Sequence, residues 1–104
     1  MKAVVVSMKF HKEQARLNAI LKHKNCVIRY SRHAIDDEMP ADQITHADVR
    51  HVLTKGHVTW FEIKKDEIVH VEGEDVDGRM IRIVVGLRDA LITLMIITVM
   101  KLKT

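Results

Sequence analysis

Arg32 and His33 are the two neighbouring residues best placed to do chemistry. They follow an alternating apolar run of Cys26, Ile28 and Tyr30, and a helical pattern begins directly after them. A strand-to-helix junction of this kind would bring both side chains close to the N-terminal amides of a helix, which favour an anion such as phosphate. Imidazole transfers protons near neutral pH, and guanidinium binds phosphate through two hydrogen bonds. These residue types suit cleavage of RNA by its own 2′-hydroxyl.

The same junction also fits a purely structural role. Ser31 would then cap the helix through its hydroxyl, and Arg32 and His33 would lie on the solvent-facing side of that helix. The sequence favours neither interpretation over the other.

Further basic residues are candidates to neutralise the phosphate. Arg82 shares a predicted sheet face with Gly86, whose missing side chain leaves room for a ligand, and Lys101 ends the last strand. We predict Arg82 and Lys101 as catalytic residues beside Arg32 and His33. The predicted RNA-binding residues are Arg79, Lys64, Lys65 and Lys103. Structural alternatives exist, since Arg82 could pair with Glu72 across a hairpin and Lys101 could only solubilise a strand end.

Motifs for metal and nucleotide chemistry are not found in the sequence. His46 and His51 are five residues apart, so they do not stack on one helix face, and the chain has neither a His-Glu-x-x-His motif nor a pair of cysteines. A glycine-rich phosphate loop and a Gly-x-Ser-x-Gly elbow are missing as well. We therefore expect no metal and no cofactor.

Length and composition predict one globular domain over residues 1–104, with 47% hydrophobic and 30% charged residues. The single cysteine, Cys26, cannot form an intramolecular disulfide and indicates a reducing cytoplasm. The apolar part of Met1–Ser7 is too short for a signal peptide, and the apolar run Ala90–Met100 is too short to cross a bilayer as a helix. We expect no contact with a membrane.

Charge is strongly segregated along the chain. Residues 1–32 carry a net charge of +7, residues 33–77 carry −8, and residues 78–104 carry +4. If the two basic blocks meet in space, they form a basic face suited to phosphate backbones. Two solvated faces that neutralise each other would give the same numbers.

Periodicity predicts an α+β domain with three helices packed on a three- to four-stranded antiparallel sheet. The helices are expected over Phe10–Lys24, Arg32–Glu38 and Ala47–Lys55, with Thr45 and Asp48 forming a capping box and Gly56 a C-cap. The short second helix should stop near Met39, because Pro40 disfavours helix at the residue before it. Strands are expected over the following segments: Cys26–Tyr30, His57–Lys64, Glu67–Glu72, Arg79–Leu87 and Leu91–Leu102.

Several short motifs resemble a small, uncharacterised bacterial domain family related to the RelE/ParE and MqsR-type toxins. The motifs that carry the resemblance are Tyr30-Ser31-Arg32-His33-Ala34, Ile44-Thr45-x-x-Asp48-Val49, Val52-Leu53-x-x-Gly56, Asp77-Gly78-Arg79 and Ile97-Thr98-Val99. The resemblance implies a RelE/MqsR-like fold, an RNA substrate and a neighbouring antitoxin protein. The family tends to place arginines after the histidine, whereas this chain carries Asp36-Asp37-Glu38 there. These acids would repel phosphate, or would hold His33 or Arg82 in place.

The leading functional hypothesis is a metal-independent, toxin-type endoribonuclease that cleaves messenger RNA, free or on ribosomes, and is neutralised by an antitoxin. Two alternatives share the same fold. One is a non-enzymatic binding module that acts through protein or nucleic-acid contacts, and the other is a gyrase inhibitor that does not cleave RNA.

Overall fold

The computed structural model describes residues 9–103 of the chain. The extended arm or helix start predicted for the first residues lies outside this range. Within residues 9–103 the chain forms three α-helices, one π-helical segment and five strands. In chain order these are α1 (His11–Lys22), β1 (Val27–Tyr30), the π-helical segment (His33–Glu38), α2 (Met39–Ala41), α3 (His46–Lys55), β2 (His57–Ile63), β3 (Glu67–Glu74), β4 (Met80–Arg88), a 3₁₀ turn (Asp89–Leu91) and β5 (Thr93–Lys101).

The α+β prediction is confirmed, but the sheet is larger than expected and mixed. Its five strands within the described residues run in the order β1-β5-β4-β3-β2. Three of the pairings are antiparallel as predicted, whereas β1 pairs parallel with β5. The amides of Val27 and Ser31 donate to the carbonyls of Ile92 and Ile96, at 3.0 and 2.8 Å. The predicted strand at Cys26–Tyr30 therefore adds a fifth strand to one edge of the sheet.

One face of the sheet is buried under the helices. In β4, Ile81, Ile83 and Val85 are fully buried, while Arg82 and Val84 between them are half-buried on the other face. This alternation is the expected consequence of the two-residue period of a strand. The same core cluster contains residues from α1 and α3, namely Leu17, Val49, Val52 and Leu53. The helices therefore pack on the face of the sheet that carries Ile81 and Ile83.

The capping signals predicted around α3 are confirmed. Thr45 Oγ1 accepts a hydrogen bond from the Asp48 amide at 3.1 Å, and Asp48 Oδ2 accepts one from the Thr45 amide at 2.9 Å. Gly56 is the C-cap residue, as its position after Lys55 predicts. Asp48 thus fixes where α3 begins, and Gly56 fixes where it ends.

The short second helix extends beyond its predicted end. The segment His33–Glu38 is π-helical, and α2 continues it from Met39 to Ala41 with Pro40 inside the turn. Pro40 has no amide hydrogen to donate, but the helix continues through it because the Met39 amide bonds to the Ala34 carbonyl and the Asp42 amide to the Glu38 carbonyl. The expectation that Pro40 stops the helix near Met39 is therefore wrong.

A close approach between two glycines sets how near α3 lies to β3. A Cβ atom placed on Gly73 would lie 2.8 Å from the Cα of Gly56, and one placed on Gly56 would lie 2.5 Å from the Glu72 carbonyl oxygen. Neither position has space for a side chain, so both glycines are required by contact with backbone atoms rather than by their own dihedral angles.

We predict that Gly73→Ala lowers the free energy of unfolding by about 2 kcal/mol, because α3 must move away from the sheet to admit the methyl group. Urea unfolding followed by circular dichroism measures this change. Gly86→Ala is the matched control, since its Cβ would meet neighbours only at an ordinary 3.7 Å. A Gly73→Ala protein as stable as the Gly86→Ala protein would contradict the prediction.

Candidate functional site

The junction between β1 and the π-helical segment is closed by Ser31. Its hydroxyl accepts a hydrogen bond from the Ala34 amide at 3.1 Å and donates one to the Ile97 carbonyl at 2.8 Å. The predicted capping role of Ser31 is therefore confirmed. The same two bonds tie the junction to β5.

His33 is exposed and lies between two carboxylates. Its side chain is 66% exposed, with Nδ1 3.1 Å from Asp37 Oδ2 and Nε2 3.2 Å from Glu38 Oε2. A carboxylate only accepts hydrogen bonds, so a protonated ring donates to both partners whereas a neutral ring donates to one. This arrangement orients the imidazole.

Glu38 joins His33 to the sheet. Its second carboxylate oxygen accepts a hydrogen bond from the Val99 amide of β5 at 2.9 Å. The partner strand β1 stops at Tyr30, which pairs with Ile96, so Val99 lies beyond the end of that pairing. The carboxylate of Glu38 therefore replaces a strand neighbour on one side and contacts His33 on the other.

Arg32 extends into solvent beside this group. Its side chain is 97% exposed, and its Nε lies 3.8 Å from Asp36 Oδ2. Asp37 and Glu38 hold His33, in agreement with one of the two roles expected for the acidic stretch. The surface around His33 therefore carries at least as many carboxylates as cations.

Arg82 and Lys101 lie on opposite faces of the sheet. Arg82 pairs in register with Met100, and Lys101 pairs with Ile81. Paired residues point to the same side, so the side chain of Lys101 shares the face of Ile81 and that of Arg82 shares the other. Arg82 Nε donates to Glu72 Oε2 at 2.8 Å, which confirms the cross-strand pair considered for it.

The predicted RNA-binding residues occupy both ends of the sheet. Lys64 and Lys65 form the turn between β2 and β3, next to the end of β4 at Arg88. Arg79 and Lys101 lie at the other end, where they line a shallow pocket of about 260 Å³, and exposed Lys103 follows Lys101. The length of β4, from Met80 to Arg88, separates these two groups by roughly 27 Å. They do not form one surface.

Arg79 is held by an internal network. Its Nε donates to Asp75 Oδ2 at 2.6 Å, and its Nη1 donates to the Asp42 carbonyl at 2.7 Å. Its Nη2 lies 3.7 Å from Asp48 Oδ2, where Asp48 is the capping residue of α3. Arg79 thereby joins the loop between β3 and β4 to the loop between α2 and α3.

Asp48 and Asp75 are buried carboxylates stabilised in the charged form. Burial alone would raise the pKa of both groups. Hydrogen bonds from Thr45 and Val76 outweigh it and lower the pKa of Asp48, and those from the amide and guanidinium of Arg79 lower the pKa of Asp75. Carboxylate oxygens of Asp48, Asp75 and Asp77 lie within 4.8 Å of one another. Arg79 already supplies positive charge to this group.

Two histidines outside the predicted site make specific contacts. On β3, His70 Nε2 lies 3.9 Å from Glu62 Oε2. Burial and the positive charge of Arg82 lower the pKa of His70. The hydroxyl of Tyr30 forms a hydrogen bond with His46 Nδ1. Strand alternation places His70 on the face of Arg82, whereas no local pattern in the sequence links Tyr30 to His46.

A family model described as "Domain of unknown function (DUF4258)" matches residues 30–101. The chain belongs to this family. The predicted membership of a small uncharacterised domain family is thus confirmed, and the further likeness to RelE/ParE and MqsR toxins stays a prediction. Searches of curated proteins and of solved structures gave no match.

The DUF4258 match begins at Tyr30 and ends at Lys101, so it contains His33, the Arg79 network and β2 to β5. It leaves α1 and most of β1 outside the matched residues. Between residues 9 and 103 no helix has both the length and the apolar character needed to span a bilayer.

We predict that the DUF4258 domain loses stability in acid through Asp48 and Asp75. Because their pKa values are lowered on folding, their contribution is complete above the unfolded pKa of about 4 and is lost as pH falls through the folded values. Asp75→Asn should lower the free energy of unfolding at pH 7 by about 2 kcal/mol and flatten its decline in acid. Urea midpoints measured from pH 7 to about pH 2 test both effects.

Asp66→Asn, which changes a half-exposed carboxylate in a surface ion pair, is the matched control and should leave the acid profile unchanged. An Asp75→Asn protein with the wild-type pH profile would show that this carboxylate does not contribute to the acid sensitivity.

Proposed function

We propose that this protein is a toxin-type endoribonuclease that cleaves messenger RNA in the cytoplasm without a metal and is neutralised by an antitoxin. The RelE/MqsR likeness of its fold is part of the proposal. The observation that carries it is the exposed imidazole of His33, whose two ring nitrogens each face a carboxylate oxygen. An accessible imidazole oriented in this way has the properties of a general acid–base group.

The proposed reaction needs only the substrate and a proton carrier. Neutral His33 keeps its Nδ1–H on Asp37, and the RNA 2′-hydroxyl takes the place of Glu38 at Nε2. Nε2 accepts the hydroxyl proton while the 2′-oxygen forms a bond to phosphorus. The bond from phosphorus to the 5′-oxygen breaks, and the imidazolium returns the proton to that leaving oxygen. The products are a 2′,3′-cyclic phosphate and a 5′-hydroxyl. Asp37 stabilises the imidazolium between the two proton transfers.

Cations near His33 would stabilise the charge that develops on the phosphate. Arg32 precedes His33 and is almost fully exposed, so its guanidinium is available to the substrate. Val99 is the residue whose amide donates to Glu38. Lys101 lies two residues further along β5, about 7 Å from Val99. In this proposal Arg32 and Lys101 contact the phosphate, whereas Arg79 and Arg82 position loops and strands.

A non-enzymatic binding module on the same fold is the second candidate. The observation that favours it is the engagement of Arg79 and Arg82 with Asp75 and Glu72, which leaves them bound to carboxylates instead of substrate. Such a protein would bind a partner or nucleic acid without cutting RNA.

We predict that His33→Ala lowers the rate of RNA cleavage roughly a hundredfold or more, because the group that transfers both protons is lost. The assay follows a labelled messenger RNA with purified protein in EDTA and identifies the cyclic phosphate. Asp37→Asn should lower the rate less than His33→Ala does, because the ring loses one of the two carboxylates that orient it. His57→Ala, an exposed histidine at the start of β2, is the matched control and should keep wild-type activity.

Expression of the wild-type protein should arrest growth, and expression of His33→Ala should not. Intact RNA after incubation with wild-type protein would contradict the proposal, as would equal cleavage by His33→Ala. If cells tolerate expression and the purified protein binds RNA without cutting it, the protein is the binding module.

A further inference from the structure

A shallow groove runs between α1 and α3 on the helical side of the domain. Its first part, about 240 Å³, is lined by Asn18, Leu21, Lys22, Arg50 and Thr54. Arg50 and Thr54 also line a second depression next to it, together with His51 and Lys55. The two depressions therefore form one continuous surface that crosses α3.

The groove is positively charged. Lys22, Arg50 and Lys55 are exposed, and no acidic side chain lines either depression. Among the residues that the structure describes, none of these three cations forms an ion pair or a side-chain hydrogen bond. The basic residues at the predicted site differ, since Arg79 and Arg82 are both paired with carboxylates.

Helix geometry explains only part of this charge. Lys22 and Lys55 lie in the last turns of α1 and α3, where a cation is favoured by the helix dipole. Arg50 lies in the middle of α3 and gains nothing from that effect. Asn18 and Thr54 beside it supply neutral polar groups, as surfaces that bind phosphate oxygens do.

The groove borders the contact between α3 and β1. Burial raises the pKa of Tyr30 to about 12, and the positive charge of Arg50 opposes this rise. His46, one helical turn before Arg50, is hydrogen-bonded to the Tyr30 hydroxyl. His33 follows Tyr30 by three residues, a backbone reach of at most about 11 Å. Because residues four apart share a helix face, Arg50 lies on the side of α3 that contacts β1, the strand that leads to His33.

We propose that the groove between α1 and α3 binds the sugar–phosphate backbone of single-stranded RNA, with Lys22 and Arg50 contacting phosphates. The inference rests on the proposed function for the nature of its ligand. It goes further by placing the binding surface on the helices, apart from the cations predicted from the sequence. It also gives a role to α1, which lies outside the matched family residues.

Binding can be measured apart from cleavage with a fluorescent 2′-O-methyl RNA, which lacks the attacking hydroxyl. The double variant Lys22→Gln/Arg50→Gln should bind this RNA at least roughly tenfold more weakly than wild type. Between about 50 and 200 mM salt, the slope of log affinity against log salt should fall by about 1.4 for the two lost contacts. Both residues are exposed, and circular dichroism verifies that the variant folds.

The double variant Lys9→Gln/Arg29→Gln is the matched control, because it removes two exposed cations outside the groove. It should bind with nearly wild-type affinity. The inference would be overturned if both double variants bound the RNA equally weakly, or if both bound it as tightly as wild type. Binding of polyglutamate but not of RNA by the wild-type protein would also overturn it and assign the groove to an acidic protein.

The inference and the proposed function fail in different ways. Groove-dependent binding without cleavage of ordinary RNA contradicts only the proposed reaction. Cleavage with the same KM in wild type and in Lys22→Gln/Arg50→Gln contradicts only the groove.

Discussion

The ionic network around Arg79 is the interaction on which the arrangement of the other elements depends. Asp75 and Asp48 are nearly inaccessible to solvent, and Arg79 joins them to the carbonyl of Asp42. One guanidinium thus connects the turn before β4, the first turn of α3 and the end of α2. Removing one member would leave a buried charge without compensation, which costs more than the intact network gains. The position of α3 on the sheet follows from these contacts, and the Asp42 carbonyl joins the end of α2 to them.

Local signals in the sequence were sufficient to predict the helix boundaries that depend on neighbouring residues. The Thr45–Asp48 capping box and Gly56 predicted α3 correctly, because capping depends on residues a few positions apart. The parallel pairing of β1 could not be predicted in this way. It joins Val27 to Thr93 across most of the chain, and a four-residue strand carries no pattern that specifies its partner. The sheet was therefore predicted with too few strands and without its parallel pair.

The candidate site shows the same division between local and distant information. The exposure of His33 and its proximity to Asp37 and Glu38 follow from their spacing on one short helical segment. Arg82 and Lys101 lie on opposite faces because the register of β4 and β5 shifts between Val84 and Val85. Val84 pairs with Thr98, whereas Val85 pairs with Ile96. One extra residue in β5 reverses the alternation of the residues that follow. Regular alternation along β5 would have placed Lys101 on the face of Arg82, and the irregularity is invisible in the sequence.

Glu38 has a consequence for how this sheet meets other molecules. Strand β5 continues past the end of β1, so this part of β5 is an open sheet edge. Unpaired backbone amides at such an edge could pair with a strand of another molecule. The carboxylate bonded to Val99 occupies that margin with a negative charge, and the π-helical segment lies along it. Natural proteins use charged side chains and covering segments to prevent sheet edges from pairing with other chains. Glu38, one of the three acids that stand where arginines were expected, thus covers the open edge of β5.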